Sequence, residues 1–383
     1  MKKILSFILL LITVLNLSGC GSFQLIKKPL EKSEYTELGI PSAENYEKGS
    51  AALYIYDMKI HNGKLYIGDG DYGANTGPVK VMAYDLASES WAVSGTLPDE
   101  AVTRFVVLGD QLAIPGTDPM DGWEYGNYYV LNDGTWETVR TIPNGIHNFD
   151  MTEFDGKIFA ALGVDDGLYP VACSNDGGKS FKLLTMRKDG TPIDTSGLES
   201  NRCYDLFVMD DRLYVTYMSS YKDSSMPIFE LYEYNREKEC FDFVKSLAGS
   251  IGVRKDTKVE VIKDHVSFKG AAFSATGYLS YTEDMLNYTT LQFPNDETVW
   301  DVCVNDDKLY VLCSLKNEDG GYTISVWQNT SGEMNGFKKL LWFDYDLPAV
   351  SFTADGKDFY FGMSANLEVH EKNGTVLKVK LDK

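Results

Sequence analysis

Short runs of alternating apolar and polar residues fill the chain from about residue 51 to its end. Turn pairs such as Asp-Gly, Asn-Gly and Asp-Asp separate these runs. Alternation with a period of two is typical of β-strands that bury one face, and no long amphipathic helical pattern interrupts it. The pattern therefore predicts an all-β protein in which tight turns join many short strands.

One strand–turn–strand pattern recurs: an apolar strand, a two-residue turn, and then a second strand that usually opens with Lys or Arg. Its copies start at Asp57, Arg104, Phe149, Tyr204, Val259, Trp300 and Val350. Their turns lie roughly 42 to 55 residues apart, which is the spacing of β-propeller blades. A blade has two apolar faces, and stacking blades around an axis buries both.

We predict a β-propeller of seven four-stranded blades. Their expected ranges are about 51–98, 99–144, 145–199, 200–248, 249–295, 296–345 and 346–383. The segment from Tyr35 to Ile40 is an alternative source for the outer strand of the last blade. Six or eight blades stay open, because the fifth copy of the pattern is weak.

Aromatic pairs with six residues between their members follow several of these hairpins. They are Tyr84 with Trp91, Tyr129 with Trp136, Tyr234 with Phe241, and Tyr281 with Tyr288. The spacing resembles the kelch repeat, in which the two rings pack between neighbouring blades, although the kelch glycine doublet is missing upstream. The resemblance implies a kelch-like β-propeller.

The stretch CSNDGGKSF, which starts at Cys173, resembles the Asp-box turn of sialidases and other propeller proteins. Ser174 and Phe181 have the same six-residue spacing as the aromatic pairs. We therefore expect a turn that Asp176 caps, from which Phe181 packs inward, far from the channel mouth. In this position the Asp-box indicates a propeller and says little about catalysis.

The first residues have the features of a bacterial lipoprotein signal. Two lysines precede an apolar run from Ile4 to Leu17, which is shorter than the roughly 20 residues that span a bilayer. Leu17-Ser18-Gly19-Cys20 resembles the lipobox, in which the cysteine is lipidated and becomes the first mature residue. An ordinary signal peptide with a chance cysteine is the alternative.

This resemblance predicts a signal peptide at 1–19, a lipidated N-terminus with a flexible tether at 20–50, and a propeller at 51–383. Two acyl chains on Cys20 would give a stable membrane anchor. We expect a monomer that the lipid bilayer holds through this anchor, at the cell membrane of a bacterium and facing outside the cytoplasm.

The formal net charge of −20 argues against nucleic acid and anionic membrane surfaces as partners. Five cysteines follow Cys20 without a Cys-x-x-Cys motif, and their odd number does not suit a disulfide framework. We interpret them as buried apolar residues. They are Cys173, Cys203, Cys240, Cys303 and Cys313.

In propellers of this kind the innermost strand of each blade starts at the face that usually carries ligands, here called the mouth face. The aligned first residues of the inner strands are Asp57, Arg104, Asp150, Asp205, Lys258, Asp301 and Val350. Nearby candidates for ligand contact are Tyr56, Phe149, Tyr204, Trp300 and His147.

Two interpretations of these residues stay open. Carboxylates, basic groups and aromatic rings suit a pocket for a sugar or another polar ligand. Repeated aspartates can instead accept hydrogen bonds from exposed backbone N–H groups, blade after blade. The unrepeated Arg104 and Lys258 are the better functional candidates.

Two loops on the mouth face have further candidates. Asp69 and Asp71 alternate with glycines and could bind Ca²⁺, although the EF-hand pattern is incomplete and a solvated loop is the simpler interpretation. No other cofactor is expected. The loop over residues 116–127 and the strand that follows it contain Trp123, Tyr125, Tyr128 and Tyr129, and we interpret this region as a contact surface.

Common catalytic motifs are missing from the sequence, including Gly-x-Ser-x-Gly, the phosphate-binding loop and HExxH. The favoured hypothesis is a binding or scaffolding module that recognises a protein or a glycan through the mouth face. The alternative is a polysaccharide-active hydrolase or lyase with its site at the channel mouth.

Overall fold

A computed structural model describes residues 30–71, 77–120, 122–165, 167–221, 227–247, 265–275, 277–366 and 368–381. Residues 32–383 form one compact unit. The chain is an all-β propeller, which confirms the predicted fold class. Besides β-strands, these ranges contain two short 3₁₀ segments, Ala51–Leu53 and Pro294–Asp296.

The strands are antiparallel within each four-stranded sheet. Strand β1 (Thr36–Gly39) comes first in the chain and belongs to the last sheet. Sheet A consists of β2 (Asp57–His61), β3 (Lys64–Gly68), β4 (Val79–Asp85) and β5 (Ser90–Leu97). Sheet B consists of β6 (Val106–Leu108), β7 (Gln111–Pro115), β8 (Tyr125–Asn132) and β9 (Thr135–Pro143).

Sheet C has ten strands. Its first meander is β10 (His147–Phe154), β11 (Lys157–Gly163), β12 (Val171–Ser174) and β13 (Lys182–Leu183). A hairpin follows, with β14 (Met186–Lys188) and β15 (Thr191–Pro192). The second meander is β16 (Leu198–Met209), β17 (Arg212–Tyr221), β18 (Ile228–Asn235) and β19 (Cys240–Ser246).

Three more sheets complete the described part of the propeller. Sheet D consists of β20 (His265–Phe268), β21 (Ala271–Ala275), β22 (Leu279–Thr282) and β23 (Thr289–Leu291). Sheet E consists of β24 (Thr298–Asn305), β25 (Lys308–Lys316), β26 (Tyr322–Asn329) and β27 (Lys338–Tyr345). Sheet F consists of β28 (Ala349–Asp355), β29 (Asp358–Met363), β30 (Thr375–Lys380) and β1.

The sheet count differs from the predicted seven separate blades. In the described ranges five sheets have four strands each, and β10–β19 form one continuous sheet. The two meanders of sheet C are joined because Gly163 at the end of β11 pairs with Arg202 of β16. The hairpin β14–β15 extends the outer edge, where β14 runs parallel to β19. The structure therefore supports the propeller but not the count of seven.

The N-terminal segment closes sheet F. β1 pairs antiparallel with β30, and Thr36 lies opposite Lys378. This confirms the alternative in which the segment from Tyr35 supplies the outer strand of the last sheet. The prediction of a flexible tether up to residue 50 is therefore wrong for Thr36–Gly39, because backbone hydrogen bonds fix these residues.

The mouth face is defined by strand register. Asp57 at the start of β2 lies opposite Gly68 at the end of β3, and His147 at the start of β10 lies opposite Gly163 at the end of β11. The start of an inner strand and the loop between the second and third strands therefore share one edge, as the sequence predicted.

The core lies between neighbouring sheets. Phe343 of sheet E contacts Phe361 of sheet F at 5.1 Å between ring centroids, and both are fully buried. Tryptophans also link the outer strands: Trp91 Nε1 donates to the Leu38 carbonyl at 2.8 Å, and Trp136 Nε1 donates to Ser94 Oγ at 3.0 Å. Four of the five predicted filler cysteines are buried, and Cys303 is half-buried.

The stretch CSNDGGKSF contains the turn between β12 and β13. Asp176 accepts hydrogen bonds from Ser174 Oγ at 2.7 Å and from Ser180 N at 3.0 Å, so it caps the turn as predicted. Gly177 and Gly178 have φ of 72° and 84°, a region that other residues enter at a cost. Phe181 contacts Tyr128 of sheet B. The turn lies at the end of the sheet opposite the mouth face.

Candidate functional site

Four of the predicted site residues form one repeated contact, and we call them the inner aspartates: Asp57, Asp150, Asp205 and Asp301. The Oδ2 atom of each accepts a hydrogen bond from a backbone N–H of the next inner strand. The donors are Phe105 at 2.7 Å, Leu206 at 2.7 Å, His265 at 3.3 Å and Phe352 at 3.1 Å, in the same order. These carboxylates therefore connect neighbouring inner strands, which supports the structural interpretation of the repeat.

The same register corrects one aligned position. Phe105 and Leu206 directly follow Arg104 and Asp205, so the residue before Phe352 holds the same position in sheet F. Lys258, the predicted fifth position, lies outside the described ranges. The last position is Ser351 and not Val350, and Ser351 Oγ donates to the Ile55 carbonyl at 2.9 Å.

Arg104 occupies the repeat position of sheet B and forms the centre of a buried charge cluster with Asp150, Asp205 and His265. Its Nη1 lies 2.8 Å from Asp150 Oδ2 and 3.9 Å from Asp205 Oδ1. His265 Nδ1 lies 2.6 Å from Asp205 Oδ2. The cluster spans sheets B, C and D, although its residues are far apart in sequence.

Solvent hardly reaches the buried charge cluster. The side chain of Arg104 is 9% exposed, that of Asp205 is 2% exposed and that of His265 is 0% exposed. The His265 ring also stacks on Phe207, with centroids 4.1 Å apart. Buried charged and polar groups need close partners, and these groups supply them to one another. The cluster thus holds three sheets together and presents little surface to a ligand.

A second group of residues lies next to the buried charge cluster at the mouth face and is more accessible to solvent. We call it the mouth cluster: Asp118, His147, Phe149, Arg202 and Tyr204. His147 stacks on Phe149 at 5.5 Å, and the Arg202 guanidinium lies 5.7 Å from the same ring. Phe149 contacts Tyr204 at 4.6 Å. Arg104 Nη1 donates to the Tyr204 carbonyl at 3.3 Å and so joins the two clusters.

The environment sets the protonation of two groups in the mouth cluster. Burial lowers the pKa of His147 below its usual 6.5, and the Arg202 charge acts in the same direction. Burial raises the pKa of Asp118 above 3.8, while His147 and Arg202 oppose this shift. His147 Nδ1 donates to the Thr117 carbonyl at 2.7 Å, since a carbonyl oxygen can only accept. The cluster therefore combines donors, an acid and a ring face.

Glycoside hydrolysis needs two carboxyl groups across the scissile bond. Asp118 is the one carboxyl group of the mouth cluster. The nearest inner aspartates, Asp150 and Asp205, are buried and bound to Arg104, His265 and backbone N–H groups. The mouth cluster therefore has the groups needed to recognise a polar ligand.

The structure brings together six of the predicted residues, which are Arg104, His147, Phe149, Asp150, Tyr204 and Asp205. Trp300 does not belong to the site, because it is 7% exposed, packs in the core, and donates its Nε1 hydrogen to Ser314 Oγ at 2.6 Å. Tyr56 lies near sheet A, where its ring contacts Tyr54 at 4.8 Å.

Sequence reasoning missed Arg202, Asp118 and His265. A signal for Arg202 existed, since His147 and Arg202 each precede an inner aspartate by three residues. The strand β16 begins at Leu198, earlier than the predicted start at Asp205, so this position lay outside the predicted strand.

The predicted calcium site gains no support. Asp69 is 2% exposed, and burial raises its pKa to about 7, which disfavours the charged form that Ca²⁺ needs. Across the part of the chain that the structure describes, no group of three or more His, Cys, Asp or Glu residues could hold a metal ion.

The loop before β8 and the first residue of that strand expose large side chains on the mouth face. Met120 is 56% exposed, Trp123 is 61% exposed and Tyr125 is 41% exposed. The predicted contact residues Tyr128 and Tyr129 are instead buried in β8. We call Met120, Trp123 and Tyr125 the aromatic patch, after its two aromatic members.

Hydrogen bonds support the backbone under the aromatic patch. Arg140 Nη2 donates to the Gly122 carbonyl at 2.7 Å and to the Tyr125 carbonyl at 3.5 Å. Asn144 N donates to the Glu124 carbonyl at 3.0 Å. The patch is thus presented on a braced loop.

No protein-family model matches the chain, and no curated protein is similar enough to count as a relative. Among solved structures, the β-propeller domain of the Trilobed protease from Pyrococcus furiosus is 9% identical, with a TM-score of 0.48, over 86% of this chain and 93% of that one. A putative 6-phosphogluconolactonase from Bacteroides fragilis is 11% identical, with a TM-score of 0.47, over 78% and 87%.

An α-L-arabinanase from Penicillium chrysogenum is 15% identical, with a TM-score of 0.45, over 78% of this chain and 97% of that one. These proteins have different activities. At such identities and scores, the similarity gives no information on the ligand or activity of this chain.

Proposed function

We propose that this chain is an extracytoplasmic binding module, lipid-anchored through Cys20, that docks a partner protein on the mouth face of its propeller. The aromatic patch is the observation that carries the proposal. Exposed Trp and Tyr side chains on a rigid support are enriched among the residues that dominate protein–protein binding energy.

The mouth cluster adds polar contacts beside the patch. Asp118 lies in the same loop as Met120, and the Thr117 carbonyl accepts the hydrogen bond from His147. A partner that covers the patch would therefore also meet Arg202 and Asp118, two groups that can set orientation and specificity.

We propose that the two meanders of sheet C act as separate blades, β10–β13 and β16–β19, which makes seven blades in all. The strand pairing that joins them, Gly163 with Arg202, is short compared with the pairing inside each meander. The anchor at Cys20 rests on the lipobox sequence alone, and that residue lies outside the described ranges. Within those ranges no helix is both long and apolar enough to cross a membrane.

The docking proposal is tested with Trp123→Ala in the full chain, purified in detergent and immobilised. Solubilised envelope proteins of the source bacterium are passed over the wild type and the variant. We expect one or more proteins to be retained by the wild type and about 30-fold less by the variant, the loss typical of a removed binding hot spot of about 2 kcal/mol.

The matched control is Leu286→Ala. Leu286 is 53% exposed, and its turn lies between β22 and β23 on the opposite face. Equal retention by the wild type and Trp123→Ala would contradict the docking surface. Retention of purified envelope polysaccharide in place of protein, with the same dependence on Trp123, would make the ligand a glycan.

A further inference from the structure

A concave site apart from the mouth cluster lies on the mouth face, at the junction of sheets E and F. It is a groove of about 310 Å³, comparable to the smaller ligand pockets of proteins, which span about 300–1,000 Å³. We call it the outer groove. The lining residues that matter here are Tyr35, Asn317, Asp319, Tyr345, Asp346 and Lys372, none of which belongs to the mouth cluster or the aromatic patch.

The segment directly before β1, which includes Ser33 and Tyr35, forms one wall of the outer groove. Tyr35, directly before β1, packs its ring against Phe343 at 5.5 Å and against Tyr345 at 5.8 Å. Ser33 N donates to the Trp342 carbonyl at 2.8 Å and fixes the backbone beside it. Since Tyr35 is still 38% exposed, its ring leaves apolar surface open to the groove.

The loop between β25 and β26 forms the second wall. Asn317 N donates to the Gly321 carbonyl at 2.7 Å, and Gly321 N donates to Asp319 Oδ1 at 3.1 Å. These bonds hold the loop in a tight turn. The exposed carboxylate of Asp319 keeps further acceptor capacity, because each carboxylate has about four lone-pair sites.

Lysines pair with two of the three carboxylates that line the groove, Asp344 and Asp346. Lys372 donates to Asp346 Oδ2, and the Lys372 ammonium lies 5.1 Å from the Tyr345 ring centroid. Lys32 donates to Asp344 Oδ2 at 2.8 Å, which holds the pKa of Asp344 below its usual value. The groove therefore offers hydrogen-bond donors and acceptors next to an aromatic ring without a large net charge.

This combination matches the chemistry of a neutral sugar. The C–H face of a sugar ring packs on aromatic side chains, while its hydroxyls both donate and accept hydrogen bonds. A highly charged ligand would instead compete with ion pairs that already exist in the groove. We propose that the outer groove binds a neutral monosaccharide or short oligosaccharide, with Tyr35 against the ring and Asp319, Asn317 and Lys372 bound to hydroxyls. This site is additional to the proposed docking surface.

Binding would also stabilise the closed ring. Tyr35 belongs to the segment that leads into β1, while Asp319 and Lys372 belong to sheets E and F. A ligand that contacts all three binds only the folded arrangement, so it raises the melting temperature by mass action.

The test uses the full chain in a detergent without a sugar headgroup. The probes are D-glucose, D-galactose, D-mannose, N-acetyl-D-glucosamine, cellobiose and maltose. Binding is measured by saturation-transfer NMR and by the shift in melting temperature. We expect one or more probes to bind with a Kd on the order of 10 mM or tighter. We expect Asp319→Ala to weaken that binding by about tenfold, through the loss of a charge-assisted hydrogen bond.

Two controls make the result specific. Asp110→Ala removes an exposed carboxylate from the turn between β6 and β7 on the opposite face, and it should keep wild-type affinity. Trp123→Ala should also keep it, which separates this site from the docking surface. If Asp319→Ala does not fold, Lys372→Met replaces it, because that variant removes a hydroxyl-binding donor from the other wall.

Failure of all six sugars to bind would overturn the proposal, whatever the outcome for the docking surface. Binding that is unchanged in the folded Asp319→Ala or Lys372→Met variant would also overturn it, because the sugar would then bind elsewhere.

Discussion

At the scale of single residues, the repeated aspartate is explained by one hydrogen bond made several times. Each inner aspartate accepts from the next inner strand, while Asp57, Asp150 and Asp301 also accept from the residue that follows them. Asp150 differs from Asp301 because its Oδ2 atom also pairs with buried Arg104. The same residue type in the same position therefore has two energetic roles.

We expect Asp150→Ala to lower the free energy of unfolding by about 3–5 kcal/mol, since it leaves the Arg104 charge buried without its closest partner. Asp301→Ala, at the same repeat position, removes the hydrogen bonds from Val302 N and Phe352 N and should cost about 1–3 kcal/mol. Urea unfolding of the full chain in detergent, followed by tryptophan fluorescence, measures both.

The double variant Arg104→Met/Asp150→Ala is the control for this comparison. Removing both groups takes away a buried cation that has lost its 2.8 Å carboxylate contact, so the double variant should be more stable than Asp150→Ala alone. Equal losses in Asp150→Ala and Asp301→Ala would show that the ion pair adds nothing beyond the backbone bonds.

Asp69 gives the molecule a specific pH dependence. Burial raises its pKa from 3.8 to about 7, so the folded state holds this proton more tightly than the unfolded state does. The resulting stability is fully present below about pH 4 and is lost as the pH rises through about 7. The asparagine side chain of Asp69→Asn stays neutral at every pH. At pH 8 the free energy of unfolding of this variant should therefore exceed that of the wild type by at most about 4 kcal/mol.

Urea unfolding at pH 5 and pH 8 tests this expectation. Asp110→Asn, an exposed carboxylate with the same change in chemistry, should keep the wild-type slope between the two pH values. If the free energy of unfolding of Asp69→Asn changed between pH 5 and pH 8 as much as that of the wild type, Asp69 would already be ionised in the folded protein near pH 5.

At the scale of elements, local patterns predicted most hairpins but not how far strands extend or what they join. The turns at Asn62-Gly63 and Asp155-Gly156 were readable because positive φ favours these residues. The hairpin β14–β15 was not predicted. Its strand β14 pairs with β19, which is distant in sequence, and the local alternation of apolar and polar residues does not indicate such a pairing. Likewise β16 begins seven residues before Asp205, so Arg202 was left out.

The candidate site was predictable only in part for a related reason. The spacing of the repeat brought Arg104, Asp150 and Asp205 to one end of their strands, and this placement is correct. Burial is a property of the packed sheets, however, and the sequence did not tell that the Arg104–Asp150 pair would be enclosed while His147 stays half-buried. The roles of these residues could therefore be assigned only once the packing of the neighbouring sheets was known.

At the scale of the whole molecule, closure of the ring determines where a tether can begin. β1 starts at Thr36 and completes sheet F, so the proposed link through Cys20 would lie in the residues before β1. Cys20 lies in that region, and Tyr35 of the outer groove lies between it and β1. A lipid on Cys20 would thus hold the propeller through the same segment that closes it.

We expect Cys20→Ala to abolish incorporation of a palmitate analogue in the source bacterium and to move the protein from the membrane fraction to the soluble fraction. The physical reason is that two acyl chains are needed for stable attachment, and the rest of the chain offers a strongly acidic surface that anionic lipids repel. Ser22→Ala is the matched control and should stay labelled and membrane-bound. The melting temperature of the released protein should equal that of the wild type, because β1 begins well beyond the changed residue. Labelling or membrane attachment that persists in Cys20→Ala would show that another segment anchors the chain.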